Sequence, residues 1–454
     1  MPNPSAALPD DRQVGWFTAV CLLISNIIGG GIFTTSGFLA RDLGDPPAIL
    51  FLWLAGAAVS LAGALCYAEL GTLFPQAGGD YVYLREAYGP LPAFLSGWTS
   101  FTVGFGAAIA ASAVGFATYL MRAISPSGLD SWWIPGIALT LVWSLTAVHG
   151  VGLQAGGRLQ QLLTTIKILS IAGLILGGML FGEGDWSHLR RSPNAPGTDV
   201  GALLGSFVFV FYTYLGWNVA GYIAGEIRDP IRTLPRIMIG GTLFVGVVYL
   251  CLNLLYFFAL PVDRLGEAPL LPVAEKSAAA LLGPTGAFLA ALLLSISIAG
   301  AASAMVWAGP RVYWAMAVDG ALLPWFGVTR RGTRIPIRSM LLQSAWVSFL
   351  ILSSTFEQLV VYGGLVLAGF SALTVSAVVL LRHRRPELAR PFRVPLYPLL
   401  PFLVILVLAA LLAHSLFYRP WESLMGLLTV MMGVPLYWLM GRLAARDQSA
   451  GSHP

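Results

Sequence analysis

The stretch "SNIIGGGIF" (residues 25–33) places three consecutive glycines inside the first long apolar run of the chain. A glycine in a helix interior costs roughly 1 kcal/mol relative to alanine, so Gly29, Gly30 and Gly31 predict a break within a membrane span. Such a break frees carbonyl groups at the end of one half-helix and amide groups at the start of the next, and lipid can satisfy neither. The stretch therefore predicts a binding site or, alternatively, the close helix packing that small residues allow.

The composition is that of a polytopic membrane protein. Of the 454 residues, 57% are hydrophobic and 10% are charged, and the mean hydropathy is +0.77, whereas soluble domains are roughly 25% charged. A helix needs about 20 apolar residues to cross a hydrocarbon core of about 30 Å. We therefore expect an all-α polytopic membrane protein with twelve spans, near residues 14–40, 47–74, 92–121, 132–149, 159–181, 200–225, 236–260, 286–309, 338–355, 358–381, 396–417 and 421–441.

Positive charge is concentrated in segments that predict the orientation of the chain. The segments "RRGTRIPIR" (330–338) and "RHRRPELARPFR" (382–393) are rich in arginine, and cytoplasmic loops of membrane proteins carry the excess of basic residues. With twelve spans, this distribution places both termini in the cytoplasm and the chain in a plasma (inner) membrane. This topology explains the net charge of +5. We therefore expect the lipid bilayer as a partner and no nucleic acid.

The sequence carries no signature of an enzyme, a metal site or a cofactor site. It contains no HExxH, GxSxG or P-loop motif, and its five histidines are scattered. The three cysteines, Cys21, Cys66 and Cys251, lie in apolar runs without metal-ligand spacing. We therefore expect no disulfide to an accessory subunit.

The sixth apolar run contains a second interruption, as expected if the chain consists of two inverted halves with broken first helices. The run "FVFVFYTYLGWNVAGYIAGEIRDP" becomes polar and bulky between Tyr212 and Asn218. A polar face packed inside a helix bundle would give the same pattern. Because a glycine break stands at the corresponding place of the other half, we interpret the pair as a binding site between the halves.

Two such breaks fit a ligand with two opposite charges, such as an α-amino acid. The amide end of a half-helix attracts a carboxylate, and the carbonyl end attracts an ammonium group. The amides expected to hold the carboxylate are those of Gly30, Gly31 and Ile32. The carbonyls expected to hold the ammonium are those near Ile27 and Ile28, with the backbone of residues 212–214.

Four segments in order resemble the amino acid–polyamine–organocation superfamily, and in particular its bacterial relatives of the L-type amino acid transporters. They are "IIGGGIF", "CYAELGTLFPQAGGDYVYLREAYG", "YLGWN…GEIRDPIRTLPR" and "AGPRVYWAMAVDGALLP". The resemblance covers about residues 14–381 and implies a transporter that works by alternating access. It also implies inverted five-helix repeats at 14–182 and 199–382, helices 11 and 12 at 395–441, and cytoplasmic tails at 1–13 and 442–454.

Residue by residue, the resemblance implies that both breaks contact the substrate. The sixth-helix motif maps onto residues 212–218, which puts Tyr212 at the position of an aromatic gate. Leu215 replaces a frequent glycine of the family and should occupy pocket volume, so we expect small neutral substrates such as alanine, serine, cysteine or glycine. The expected substrate-binding residues are Ile27, Ile28, Gly29, Gly30, Gly31, Ile32, Tyr212, Thr213, Tyr214 and Leu215.

Lys167 lies inside the fifth predicted span. It follows Arg158 by nine residues, which at 1.5 Å per residue puts it roughly 13 Å into the hydrocarbon core, where a charge is costly and a functional role is the default expectation. Lys167 can carry a coupling proton, act as a fixed cation in place of sodium between the first and fifth helices, or snorkel. The resemblance supports the first two. We expect sodium-independent exchange, with proton symport and a non-transporting sensor as alternatives.

Several other polar residues have expected positions. Glu69, near the cytoplasmic end of the second span, is expected to pair with a cytoplasmic arginine. Three charged residues after the sixth span form either an intracellular gate or a solvated loop, namely Glu226, Arg228 and Asp229. Three polar residues either line the cavity or serve in helix packing, namely Asn26, Ser297 and Ser303.

Overall fold

The described part of the chain is built from α-helices. The computed structural model describes residues 12–124, 132–193, 195, 199–268, 272–330, 333, 335–354 and 356–450, without the side chains of 356–362 and 443–450. The helices are α1 Trp16–Ile27, α2 Thr35–Leu43, α3 Pro46–Leu73, α4 Asp80–Tyr88, α5 Pro90–Thr99, α6 Gly106–Ile124, α7 Trp133–Val151, α8 Leu153–Phe181, α9 Val200–Tyr214, α10 Val219–Tyr222, α11 Pro230–Ala259, α12 Val262–Gly266, α13 Val273–Val318, α14 Ile337–Ser353, α15 Phe356–Arg384, α16 Leu399–Tyr418 and α17 Pro420–Ala450.

The predicted membrane spans all correspond to helices of the structure. Within the described residues, ten helical stretches are long and apolar enough to cross a membrane, and α1 and α14 are shorter apolar helices. The ten are α3, α5 with α6, α7, α8, α9 with α10, α11, α13, α15, α16 and α17. The expectation of an all-α polytopic membrane protein is thus confirmed. The predicted tail at 1–13 lies almost wholly outside the described residues, and α17 continues into the tail predicted at 442–454.

Local sequence signals determine where the helices begin and end. The turn between α2 and α3 contains Gly44 with a φ of 57°, which favours glycine. Asp45 follows and caps α3, since its Oδ1 accepts a hydrogen bond from the Ala48 amide at 3.2 Å. Pro46 then occupies the first helical position, where its missing N–H is not needed. Asp199 caps α9 in the same way.

The broken first and sixth spans lie inside the bundle. Helix α1 packs against α8, α11 and α13, while α2 packs against α9 and α12. Helix α13 changes direction at Gly283, where φ is 67°. Both breaks therefore face protein on several sides, as unpaired backbone groups in a membrane require.

Glu69 has the arginine partner that the sequence predicts, and it is buried within the protein. Its carboxylate accepts hydrogen bonds from Arg382 Nε at 2.9 Å, Arg382 Nη2 at 2.5 Å and the Val394 amide at 2.7 Å. The residue is only 2% exposed, and Arg390 Nε lies 3.7 Å from Glu69 Oε1. This cluster joins α3 to α15 and to the segment that precedes α16.

Replacement of Glu69 by alanine should lower the thermal unfolding midpoint of the purified protein strongly. Removing one partner of a buried ion pair leaves the other charge uncompensated, which costs about 3–5 kcal/mol. Glu267→Ala is the matched control, because the Glu267 side chain is 56% exposed and pairs with the exposed Arg264, so its loss should change stability by less than about 1 kcal/mol. Equal shifts of the two midpoints would contradict a stabilising role of the Glu69 cluster.

Candidate functional site

The first span is broken where the three glycines stand. Helix α1 ends at Ile27, a 3₁₀ turn covers Gly31–Phe33, and α2 begins at Thr35. The Gly29 amide donates to the Ile27 carbonyl at 2.9 Å. In the described part of the chain, the amides of Gly30 and Gly31 donate to no acceptor. Two free backbone donors therefore stand at the start of the second half-helix.

The sixth span is broken opposite the first. Helix α9 ends at Tyr214, and Gly216 has a φ of 122°, a conformation that favours glycine. Asn26 of α1 donates through Nδ2 to the Gly216 carbonyl at 3.2 Å. A Cβ atom on Gly216 would lie 2.6 Å from that nitrogen, so the close approach of the two breaks also depends on this glycine.

A cavity of about 360 Å³, here called the central cavity, lies between the breaks. This volume is within the usual range for sites that bind small molecules. Its lining includes seven of the predicted substrate-binding residues, namely Ile27, Gly29, Gly30, Gly31, Tyr212, Thr213 and Leu215. The other three predicted residues, Ile28, Ile32 and Tyr214, are fully buried and do not line it.

The carbonyl groups predicted to hold an ammonium group are partly occupied by the protein itself. The Ile28 carbonyl accepts a hydrogen bond from Lys167 Nζ at 2.6 Å. The Ile27 carbonyl accepts from both the Gly29 amide and the Tyr249 hydroxyl, each at 2.9 Å. Both lone pairs of the Ile27 oxygen are thereby used, and Ile28 does not line the central cavity, so the structure gives no support to the expectation that these carbonyls hold an ammonium group.

Lys167 reaches the first break from α8. Its side chain is fully buried, and Nζ donates to the Ser25 carbonyl at 3.1 Å, to Ser25 Oγ at 3.0 Å and to the Ile28 carbonyl. An ammonium group has three donors, so all are used. A Cβ atom on Gly300 would lie 3.4 Å from Nζ and 2.7 Å from Ser25 Oγ, so this glycine of α13 makes room for the contact.

Asp80 is a lining residue that the sequence analysis missed. It begins α4, is 6% exposed, and accepts hydrogen bonds from Tyr67 at 2.6 Å, from Asn218 at 3.1 Å and from the Tyr222 hydroxyl. Among the described residues, no arginine, lysine or histidine pairs with it. Its position after two glycines in "QAGGDYVYLREAYG" could have indicated a functional residue, since an aspartate beside an apolar run is rarely buried unless it has partners.

The third span also contributes lining that was not predicted. A π-helical turn at Ser100–Phe105 joins α5 to α6, and such turns are frequent at functional sites. Ser100, Gly104 and Phe105 of this turn line the central cavity. Of the polar candidates, Asn26 lines it, whereas Ser297 and Ser303 are buried in α13, and Ser303 Oγ lies 2.9 Å from His149 Nε2.

The three charged residues after the sixth span have separate partners. Glu226 is buried, with Oε1 2.8 Å from Arg311 Nη2 and Oε2 accepting from Trp307 Nε1 at 3.0 Å. Asp229 instead lies 3.8 Å from the exposed Arg232. Arg228 donates through Nε to the Arg12 carbonyl at 3.2 Å. Only Glu226 therefore connects the end of the sixth span to α13.

The backbone beside Glu226 also holds the start of the first span. The Val14 amide donates to the Glu226 carbonyl, and the Arg228 amide donates to the Val14 carbonyl, both at 2.9 Å. The beginning of the first span and the end of the sixth are thereby joined on the side of the bundle predicted to be cytoplasmic.

Comparison with known proteins agrees with the fold and with the cavity. A family model described as amino acid permease matches residues 14–434. The serine/threonine exchanger SteT of Bacillus subtilis is 30% identical over 96% of this chain and 98% of its own. The b(0,+)-type amino acid transporter 1 of Mus musculus is 28% identical, over 94% of this chain and 88% of its own.

The large neutral amino acids transporter small subunit 2 of Homo sapiens is 29% identical over 94% of this chain and 80% of its own. All three relatives are named as transporters or exchangers, and this supports a role other than that of an enzyme. The family match covers the breaks, the central cavity and nearly the whole helical bundle. The chain therefore belongs to the amino acid permease family of the amino acid–polyamine–organocation superfamily, and it is a membrane transporter of amino acids.

Proposed function

We propose that this chain exchanges small neutral L-amino acids across the plasma membrane without sodium, and that the substrate carboxylate binds the amides of Gly30 and Gly31. The observation that supports this most is that Gly30 and Gly31 line the central cavity and that their amides have no acceptor in the described part of the chain. A half-helix start carries roughly half a positive charge, and glycine lets a ligand approach the backbone closely.

The substrate ammonium group binds carbonyls of the sixth span. With the Ile27 and Ile28 carbonyls engaged by Tyr249 and Lys167, the backbone of residues 212–214 remains from the predicted set. The Tyr249 hydroxyl lies 3.2 Å from the Thr213 carbonyl oxygen, but its single proton is better placed for the Ile27 carbonyl at 2.9 Å, so the Thr213 carbonyl is open to a further donor. A substrate that contacts both breaks therefore needs a carboxylate for the first break and an ammonium group for the second, as an α-amino acid has.

A preference for small side chains follows from the residues between the breaks. Leu215 lines the central cavity where many relatives carry glycine, and Tyr212 narrows it as an aromatic gate. One relative is named a serine/threonine exchanger, which fits substrates of this size. Alanine, serine, cysteine and glycine are the proposed substrates.

Lys167 serves as a fixed cation at the first break. Its ammonium group contacts carbonyls at the end of α1, where a half-helix carries partial negative charge. A sodium ion would seek carbonyl oxygens of the same kind. Since the lysine stays attached to α8, no ion needs to accompany the substrate, and this favours exchange.

The ends of the central cavity are closed by different residues in the two states of the cycle. Tyr212 closes one end, and the buried Glu226 with Arg311 closes the other, with Arg228 and Asp229 beside it. Both termini are cytoplasmic, as the arginine-rich segments indicate. The chain needs no disulfide-linked subunit, since Cys21, Cys66 and Cys251 all lie in helices, although one relative is named a small subunit.

Counterflow into proteoliposomes tests the proposed exchange. Radiolabelled alanine should enter vesicles loaded with unlabelled alanine much faster than empty vesicles, with little response to an imposed pH gradient or to sodium, because Lys167 is the cation. Lys167→Ala should reduce exchange at least tenfold, since it leaves carbonyls of Ser25 and Ile28 unpaired in a buried site (about 1–3 kcal/mol per group). Lys276→Ala, at the only other lysine, is the control. Concentrative uptake into empty vesicles driven by inward protons would instead establish symport.

Gly31→Ala should weaken alanine binding more than about tenfold. A Cβ atom at Gly31 would lie 2.9 Å from Thr213 Oγ1, so the two breaks must separate and the amides must move from the carboxylate position. Gly173→Ala in α8 is the matched control, because no atom lies within 4 Å of a Cβ atom there. Equilibrium binding of radiolabelled alanine to the purified variants measures the difference, and unchanged affinity in Gly31→Ala would argue against the proposed carboxylate site.

Leu215→Gly should shift uptake towards larger side chains such as leucine. The change removes a side chain from the wall of the central cavity, and one methylene group of pocket space is worth about tenfold or more in discrimination. The measurement is the ratio of leucine to alanine uptake, compared with Leu180→Gly, a Leu-to-Gly change at a residue 72% exposed on α8. An unaltered ratio would rule out Leu215 as the residue that limits substrate size.

A further inference from the structure

A second cavity of about 490 Å³ lies between α9, α15, α16 and α17. We call it the lateral cavity. Most of its walls are hydrocarbon side chains and aromatic rings. Representative lining residues are Gly205, Phe209, Tyr212, Ala368, Leu411 and His414.

The lateral cavity shares a wall with the central cavity. Tyr212 and Leu215 line both cavities, so the proposed gate separates them. The Tyr212 ring packs against α15, where a Cβ atom on Gly364 would lie 3.0 Å from it. A molecule in the lateral cavity would therefore touch the gate from the side opposite to the substrate.

The lateral cavity runs from the turn between α16 and α17, where Arg419 and Glu422 line it, to the break of the sixth span at Tyr212 and Leu215. Helix α16 ends at Tyr418, and Phe417, Tyr418 and Trp421 beside this end are 83%, 71% and 72% exposed. Exposed aromatic rings of this kind mark the level of the lipid headgroups. Tyr212 lies twelve residues after the start of α9 at Val200, or roughly 18 Å along the helix, whereas half of the hydrocarbon core is about 15 Å.

Two opposite charges stand at the headgroup end of the lateral cavity. Arg419 and Glu422 both line it and follow one another closely at the turn from α16 to α17. Neither forms an ion pair with any residue that the structure describes. The Arg419 guanidinium lies 5.4 Å from the centre of the Phe209 ring. A third charge in the lining, Asp42, is already paired with Arg41 at 2.8 Å.

We propose that the lateral cavity binds one molecule of phosphatidylethanolamine. An acyl chain fills the apolar cavity as far as Tyr212, the phosphate binds Arg419, and the primary ammonium group donates hydrogen bonds to Glu422. A phosphatidylglycerol headgroup would leave Glu422 without a cation, and the quaternary ammonium of phosphatidylcholine has no N–H to donate. The chemistry of the mouth therefore selects a zwitterionic lipid with a primary amine.

This lipid acts on transport through the gate. The acyl chain supports the Tyr212 ring from outside the central cavity and so favours the state in which the gate is closed over the substrate. Filling of the lateral cavity by lipid is independent of which amino acid is carried and of whether Lys167 acts as a fixed cation. The lipid site can therefore stand even if the proposed exchange is disproved.

The binding is measured by native mass spectrometry of protein purified in mild detergent from membranes that contain both phosphatidylethanolamine and phosphatidylglycerol. One phosphatidylethanolamine should remain bound. Arg419→Ala should lower its retention about tenfold, because the phosphate loses a charged donor. Ala202→Phe, which fills the lateral cavity from α9 and keeps both charges, should lower retention similarly. Arg264→Ala, at an exposed arginine of α12, is the control and should retain the lipid.

The results that support lipid binding differ from those that contradict it. Loss of phosphatidylethanolamine in Arg419→Ala and Ala202→Phe, with retention in Arg264→Ala, supports the proposal. Equal retention in all the variants, equal retention of phosphatidylglycerol by the unchanged protein, or absence of any bound lipid would overturn it. Alanine exchange in vesicles of phosphatidylethanolamine and phosphatidylglycerol, compared with phosphatidylcholine and phosphatidylglycerol, tests the effect on the gate, and no change of rate would refute that part.

Discussion

The contact of the Lys167 ammonium group with the end of α1 is the interaction on which the broken first helix depends. A half-helix that ends inside a membrane leaves carbonyl oxygens that neither lipid nor the next turn can satisfy. Lys167 donates to two of them, from Ser25 and Ile28, and to the Ser25 hydroxyl. In return, the carbonyls and the partial negative charge of the helix end stabilise a buried ammonium group. The ammonium group thus satisfies the free carbonyls, and the carbonyls offset the cost of burying the ammonium group.

Because Lys167 neutralises the carbonyl end of α1, the break in the first span can bind a different kind of ligand. With Lys167 on one side, the amides of Gly30 and Gly31 have no acceptor among the described residues, and free amides at the start of a half-helix suit an anion. The sixth span faces these amides through the Asn26 contact with Gly216, and the Tyr249 hydroxyl lies within hydrogen-bond distance of both the Ile27 and the Thr213 carbonyls. These contacts join the two broken spans directly.

The sequence was sufficient for the features that depend on local composition. Consecutive glycines predict the first break because glycine is a poor helix former wherever it stands, and a lysine inside a long apolar run predicts a charged group with a role within the bundle. It was not sufficient for the hydrogen-bond partners of individual carbonyls. Ile27 and Ile28 were predicted to contact an ammonium group, but their oxygens are used by side chains more than 130 residues away in the chain. Asp80 was missed for the same reason, since Tyr67 lies in α3 and the other two partners, Asn218 and Tyr222, lie at the two ends of α10.

The most direct test of the account is an experimental structure of the protein with alanine bound. The account predicts density for the substrate between the two breaks, with carboxylate oxygens about 2.7–3.2 Å from the amide nitrogens of Gly30 and Gly31 and the ammonium group at the carbonyls of the sixth span. Alanine bound at the Asp80 end of the central cavity, with both glycine amides still unpaired, would contradict it.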